Sequence, residues 1–171
     1  RMKELIHGLT SLSGLISEVL KVDSECATLA KLFHQNSSFL CLGRGLYYPV
    51  ALEAALKLKE VSYIHAEACP AGEMKHGPIA LVDSKLPVIA LALKDGLRSK
   101  MEGNIAEIKA RGGTVLALGT AGDEGLKSQA DQVLYVPSAP PFLGPLLATI
   151  PLQLLAYYIA VERNCDVDQP R

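Results

Sequence analysis

The chain has 171 residues, 49% of them apolar and 20% charged, and a formal net charge of −1. That length fits one domain with a substantial core, and the near-neutral balance excludes nucleic acid or an anionic membrane as the main partner, since both demand a basic patch. Cys26, Cys41, Cys69 and Cys165 are widely spaced with no CxxC pair, the pattern of reduced thiols in a cytoplasmic protein rather than of a disulfide frame or a metal site.

The sequence opens on Arg1 with no signal-peptide pattern and closes on the polar run DVDQPR, so it reads as a piece of a longer chain. Residues 3–21 place Leu5, Leu9, Leu12, Leu15, Ile16, Val19 and Leu20 on one helical face. Asp23 and Ser24 offer an N-cap to a second helix over 25–33. Residues 1–36 are therefore expected to form a leading helical arm, packed on a neighbouring domain or a symmetry mate, and 37–171 the main domain. Five apolar runs follow: SFLCL at 38–42, a short run at 64–68, PVIALAL at 87–93, TVLAL at 114–118 and QVLYV at 132–136. The first ends in Gly43-Arg44-Gly45 and leads into a helix from about Tyr48 to Tyr63. A helix over 97–111 is closed by Gly112-Gly113, and a loop or short helix covers 121–129. Strands apolar throughout and alternating with helices predict an α/β fold. The expected form is a three-layer αβα sandwich on a five-stranded parallel, flavodoxin-like sheet, with the glycine turn near its topological switch point.

Residues 142–161 carry no charge, and a membrane span must be weighed. Pro145, Pro151, Gln153 and flanks without a basic cluster favour a core or interface helix, restarted or kinked at Pro151.

Chemistry concentrates between Gly43 and Pro78. On a helix, Glu53, Lys57 and Glu60 fall within roughly 60° of one another, while the remaining circumference is mostly apolar. As a surface feature this is an i,i+4 Glu–Lys pair contributing a few tenths of a kcal/mol. As a functional feature it is a carboxylate beside a lysine at the first turns of the helix after strand one, where open α/β sheets hold ligands. A carboxylate can take a proton from carbon next to a carbonyl while the lysine handles the oxygen; the spacing leaves open which of Glu53 and Glu60 is the base. His76, in Lys75-His76-Gly77-Pro78, is a loop histidine and a candidate acid–base, with a structural turn as the competing role. His65 reads as structural, and His7 and His34 are given no role. There is no GxGxxG, Walker A or GxSxG motif. The loop GRGLYY has no hydroxyl side chain of the Ser or Thr type and KDGLRSK has only Ser99, so a phosphate cradle is missing from its expected places.

The stretch GRGLYYPVALEAALKLKEVSYIHAEACPAGEMKHGPIALVD, with IKARGG, IPLQLLAYYIAV and DVDQPR, resembles the second sugar-isomerase (SIS) domain of the glutamine–fructose-6-phosphate aminotransferases (isomerizing), the glucosamine-6-phosphate synthases, over nearly the whole chain. The resemblance implies an isomerase lobe acting on fructose-6-phosphate with ammonia from a separate glutaminase domain, and no cofactor or metal. It implies that Glu60 moves the proton between C1 and C2, that Lys57 assists at the sugar oxygens and that Glu53 is a further site carboxylate. It implies that His76 opens the sugar ring in the site of the neighbouring subunit, hence a homodimer. The glutaminase domain, the first SIS lobe with its phosphate loops and the short tail carrying a Schiff-base lysine lie outside these residues, so the fragment is expected to be inactive by itself. A non-catalytic sugar-phosphate sensor and a purely structural dimerisation lobe are the competing readings; a sensor needs a cradle in its own chain.

Overall fold

Five apolar runs become five parallel strands, as their unbroken hydrophobicity requires: a strand reads this way when both faces are covered. The computed structural model describes residues 2–169. In chain order the elements are α1 (Met2–Val19), α2 (Asp23–Phe33), β1 (Ser38–Gly43), α3 (Tyr48–Ser62), β2 (His65–Pro70), β3 (Val88–Leu91), α4 (Arg98–Lys109), β4 (Val115–Thr120), β5 (Gln132–Val136) and α5 (Gly144–Glu162). The strand order is β2-β1-β3-β4-β5, the expected flavodoxin-like sheet, with Cys41 of β1 set between Ala68 of β2 and Ile89 of β3.

The period of two sorts the strand side chains into two cores. Phe39, Cys41, Ile89, Leu91, Leu116 and Leu118 face α2, α3 and α5. Leu40, Leu42, Ala90, Val115 and Ala117 face Met101, Ile105 and Ile108 of α4. Because α3 and α4 lie on opposite faces, the switch point falls between β1 and β3, and a crevice opens at their carboxyl ends. Two glycines make the turn there. A Cβ on Gly43 would sit 2.3 Å from the Tyr47 carbonyl oxygen, and Gly45 has φ +52°, a left-handed value that suits glycine.

Local details depart from the sequence expectations. No side chain caps α2, which starts at Asp23 straight out of a 3-10 turn over Leu20–Val22. Asp23 instead accepts a hydrogen bond from the Tyr158 hydroxyl of α5 at 2.8 Å; a long-range partner wins over the cap. The strand expected at 64–68 is β2, shifted to His65–Pro70, and the 121–129 segment is a 3-10 turn over Glu124–Ser128. The β2–β3 crossover has no α-helix, only 3-10 turns at Met74–His76 and Pro78–Leu81.

The apolar segment at 142–161 is α5, which runs without interruption through Pro151 rather than restarting there. It is long and apolar enough to cross a membrane, yet half of it is buried inside the fold. Leu147, Leu152, Leu155 and Ile159 pack in the same core as α2 and α3. That burial on both sides offsets the cost of an internal proline, about 3 kcal/mol for an exposed helix.

Candidate active site

The charged stripe of α3 is on the outside of the α3/α5 layer. Lys57 is ion-paired with Glu60, with side chains 31% and 47% exposed. Glu53 does not close the expected i,i+4 pair as a hydrogen bond; its Oε1 accepts from Gln153 Nε2 of α5 at 3.2 Å. The three charges thus share one face, and Leu52 and Leu56 stand exposed beside them. The hydrogen bond that Lys57 donates to Glu60 pushes its ammonium up from the ordinary value; partial burial opposes this, and the charges of Glu60 and Glu53 add to it. Lys57 is therefore a cation and a donor at neutral pH, not a base.

Of the stripe, only Glu53 lies in the first two turns of α3; Lys57 and Glu60 lie beyond them. Glu60 is the twelfth residue after Tyr48, about 18 Å along the axis at the α-helical rise. Since α3 returns antiparallel to β1, the Lys57–Glu60 pair lies well away from the crevice at the carboxyl ends of the strands.

His76 closes the turn Met74–His76 and is exposed. Its backbone N–H donates to the Glu73 carbonyl at 2.9 Å. Lys75 is tied to Glu107 of α4 at 2.7 Å, and Met74 is buried in the α4-side core. His76 is thus held toward the sheet face opposite α3, and among the described residues no hydrogen bond joins it to Glu53, Lys57 or Glu60. The structure brings three of the four expected site residues together and leaves the fourth on the far side. His65 is exposed on the edge strand β2. His34 Nδ1 lies 3.0 Å from the Lys31 carbonyl oxygen, to which it donates, and the side chain of His7 lies outside the described residues.

The switch-point crevice encloses about 220 Å³. Leu46 and Tyr47 after β1, Leu93 to Gly96 after β3, Thr120 at the end of β4, Val136 to Ala139 after β5 and Gly144 at the start of α5 form its walls. It holds no histidine or glutamate; its charged residues are Lys94 and Asp95. Among the described residues no cluster of three or more His, Cys, Asp or Glu is placed to hold a metal. Burial first, and then Asp23 and Glu25, push the Cys26 thiol up to about 12. Burial first, then Cys69, raises Cys41 to about 12, and burial first, then Glu67, raises Cys69 to about 11. These three thiols are inert packing groups at neutral pH.

The SIS domain model matches residues 31–163. This chain belongs to the SIS domain family. As a SIS domain it is similar over 167 residues, at 53% identity, to the glutamine–fructose-6-phosphate aminotransferase (isomerizing) of Bacteroides thetaiotaomicron, covering 98% of this chain and 27% of that protein. It is 53% identical over 169 residues to the enzyme of that name from Thermus thermophilus, covering 99% of this chain and 28% of the relative. The C-terminal domain of glucosamine-fructose-6-phosphate aminotransferase from Francisella tularensis has the same fold, with a TM-score of 0.87 at 42% identity over 94% of this chain and 45% of that one. This SIS domain therefore spans little more than a quarter of the length of the curated relatives it matches.

Two features of this SIS domain were not legible as site features in its sequence. Gln153 holds Glu53 across 100 residues of chain, and no local signal announces it. Thr120 ends β4 inside the crevice; its position as the last residue of a buried strand is the only hint, since strand ends line such crevices.

Proposed function

We propose that this chain is the second isomerase lobe of a glutamine–fructose-6-phosphate aminotransferase, contributing the proton-handling half of a site that turns fructose-6-phosphate into glucosamine-6-phosphate. The end-to-end likeness to aminotransferases of that name, at about half identity, carries this reading. Glu60, as a carboxylate, takes the proton from C1 of the sugar and returns it at C2. Lys57 stays an ammonium beside it, donates toward the sugar oxygen and stabilises the negative charge that develops there. Glu53, held by Gln153, keeps the charge of the stripe in place from one turn away. The phosphate grip and the Schiff-base lysine come from outside these residues, which fits a stripe lying on an open helix face rather than in this lobe's own crevice. His76, facing away from the stripe, serves the site of a second subunit in a homodimer.

The test is Glu60→Gln in the full-length enzyme. Glucosamine-6-phosphate formation should fall by about 10² to 10⁴, the usual share of a general acid–base, with fructose-6-phosphate binding and thermal stability retained. Unchanged turnover removes Glu60 from the mechanism and the proposal with it.

A further inference from the structure

We propose that Glu107 of α4 is a positioning residue for His76, acting through Lys75 to set the direction in which the imidazole leaves this subunit; the inference rests on the reading that His76 serves the site of a second subunit. Among the described residues no hydrogen bond fixes the His76 ring, and the residue stands exposed at the end of the turn Met74–His76. The backbone around it is thinly tied. The His76 N–H donates to the Glu73 carbonyl at 2.9 Å, and the Ala80 N–H donates to the Gly77 carbonyl at 2.9 Å. Between those two turns Gly77 has φ +151°, a value that residues with side chains rarely adopt. No regular hydrogen-bond ladder therefore carries rigidity across this corner. A reacting group held about 1 Å out of place can lose about 10²-fold in rate, so other contacts must orient it.

Three contacts do so. Met74 is buried, and Ile79 is partly buried, in the core beneath α4. These apolar anchors lie on either side of His76 in the chain and define an axis, but two points leave rotation about that axis free. Lys75 supplies the third point. Its Nζ meets Glu107 Oε1 at 2.7 Å, over a groove that Ile79, Ala110 and Arg111 also line. Glu107 is a firm support because the same edge of α4 is tied to the sheet. One turn earlier Asn104, itself buried, accepts from Arg44 Nε of the glycine turn at 3.2 Å. Stability does not account for the ion pair. The side chains of Lys75 and Glu107 are 61% and 33% exposed, and such pairs add little to folding. The second carboxylate oxygen, Oε2, is buried and has no hydrogen-bond partner among the described residues, which is a cost. A carboxylate held at a cost, and bonded to the residue next to His76, stiffens the turn rather than the fold.

The experiment measures glucosamine-6-phosphate formation by the full-length enzyme, with kcat and the KM for fructose-6-phosphate resolved. Glu107→Gln keeps the shape of the side chain and removes its charge. It should lower kcat about tenfold, within the range for a misplaced group, and leave KM and melting temperature unchanged. Lys75→Met should give the same loss, and the two substitutions together no more than either alone, since they break one contact. On a His76→Ala background Glu107→Gln should cost nothing further, because it acts only through His76. A kcat for Glu107→Gln within about twofold of wild type overturns the proposal. So does the same loss on the His76→Ala background, or a loss that tracks a fall in melting temperature, since either marks a merely structural contact. If His76→Ala by itself leaves turnover intact, the reading of His76 falls and this inference with it. An inactive His76→Ala beside a fully active Glu107→Gln removes Glu107 alone.

Discussion

Two regions of this lobe divide what an active site needs. The α3/α5 face carries Glu53, Lys57 and Glu60 but has no walls, since Lys57 and Glu60 remain 31% and 47% exposed. The switch-point crevice has walls, and Lys94 and Asp95 are the charged residues that line it. The fold places ligands at the strand ends, whereas Glu53, Lys57 and Glu60 sit about 8, 14 and 18 Å along α3 from Tyr48. A helix face of this kind becomes a reaction site only when other surfaces close over it. The charged face and the enclosed crevice are thus distinct surfaces, and what each contributes should be separable by mutation.

The sharpest separation is expected across the subunit boundary. In the full-length enzyme, His76→Ala and Glu60→Gln should each lose about 10²-fold or more in glucosamine-6-phosphate formation. When the two variants are co-expressed, half of randomly mixed dimers carry one intact composite site, so activity should return to about a quarter of wild type. No recovery would place His76 and Glu60 in the same subunit's site and break the division argued from their opposite faces.

Gly43→Ala should damage both regions together. Its Cβ would land 2.3 Å from the Tyr47 carbonyl, in the turn that aims Tyr47 into the crevice and launches α3. Neither flank can yield without moving strand or helix, so a loss of about 3 kcal/mol is expected, near the upper range for overpacking. For a chain of this size that corresponds to a melting-temperature drop of roughly 10 °C by calorimetry. A melting temperature within a degree or two of wild type would mean that the turn is not shared.

A smaller effect separates buried from accessible thiols. A disulfide reagent at pH 7 should modify Cys165, which is partly exposed, and leave Cys26, Cys41 and Cys69 unmodified until the protein unfolds. Burial raises those three thiols to about 12, 12 and 11, so their thiolate fraction at neutral pH is negligible. Reaction of more than one thiol in the native state would show that the core around β1 opens.

The sheet and its helices were legible because their signal is local and strong: LALGT or SFLCL can hardly be anything but covered strands. The grouping of Glu53, Lys57 and Glu60 was legible too, because helical spacing alone fixes it. What escaped depends on partners distant in sequence. Asp23 looked like a cap and is a partner of Tyr158. Arg98, near the start of the helix expected over 97–111, is only 9% exposed, its Nε donating to Asp123 at 2.9 Å. The depth of the stripe along α3 was misjudged because a helical wheel gives angle and discards height. Thr120 and Tyr47 meet only when β1, β4 and α5 converge, and no spacing rule brings them together.

The smallest predicted effect concerns the stability that the Lys57–Glu60 pair itself provides. Lys57→Met in the 171-residue chain should lower stability by less than about 1 kcal/mol, the range for exposed ion pairs. The pH dependence carries the sign. Lys57 has a raised folded-state pKa, chiefly through the Glu60 hydrogen bond, so the folded state holds this proton more tightly than the unfolded chain. The pair's contribution is therefore complete below the unfolded lysine value of about 10.4 and is lost as pH climbs through the higher folded value. Denaturant midpoints of wild type and Lys57→Met should differ by a constant amount at pH 7–9 and converge as pH rises beyond the ordinary lysine range. Added salt should shrink the neutral-pH difference, because the pair is half in solvent. A difference larger than about 1 kcal/mol that survives both high salt and high pH would mean that the Lys57 stem packs as part of the core; the open face would then be partly a structural surface, and its contrast with the enclosed crevice would lose its force.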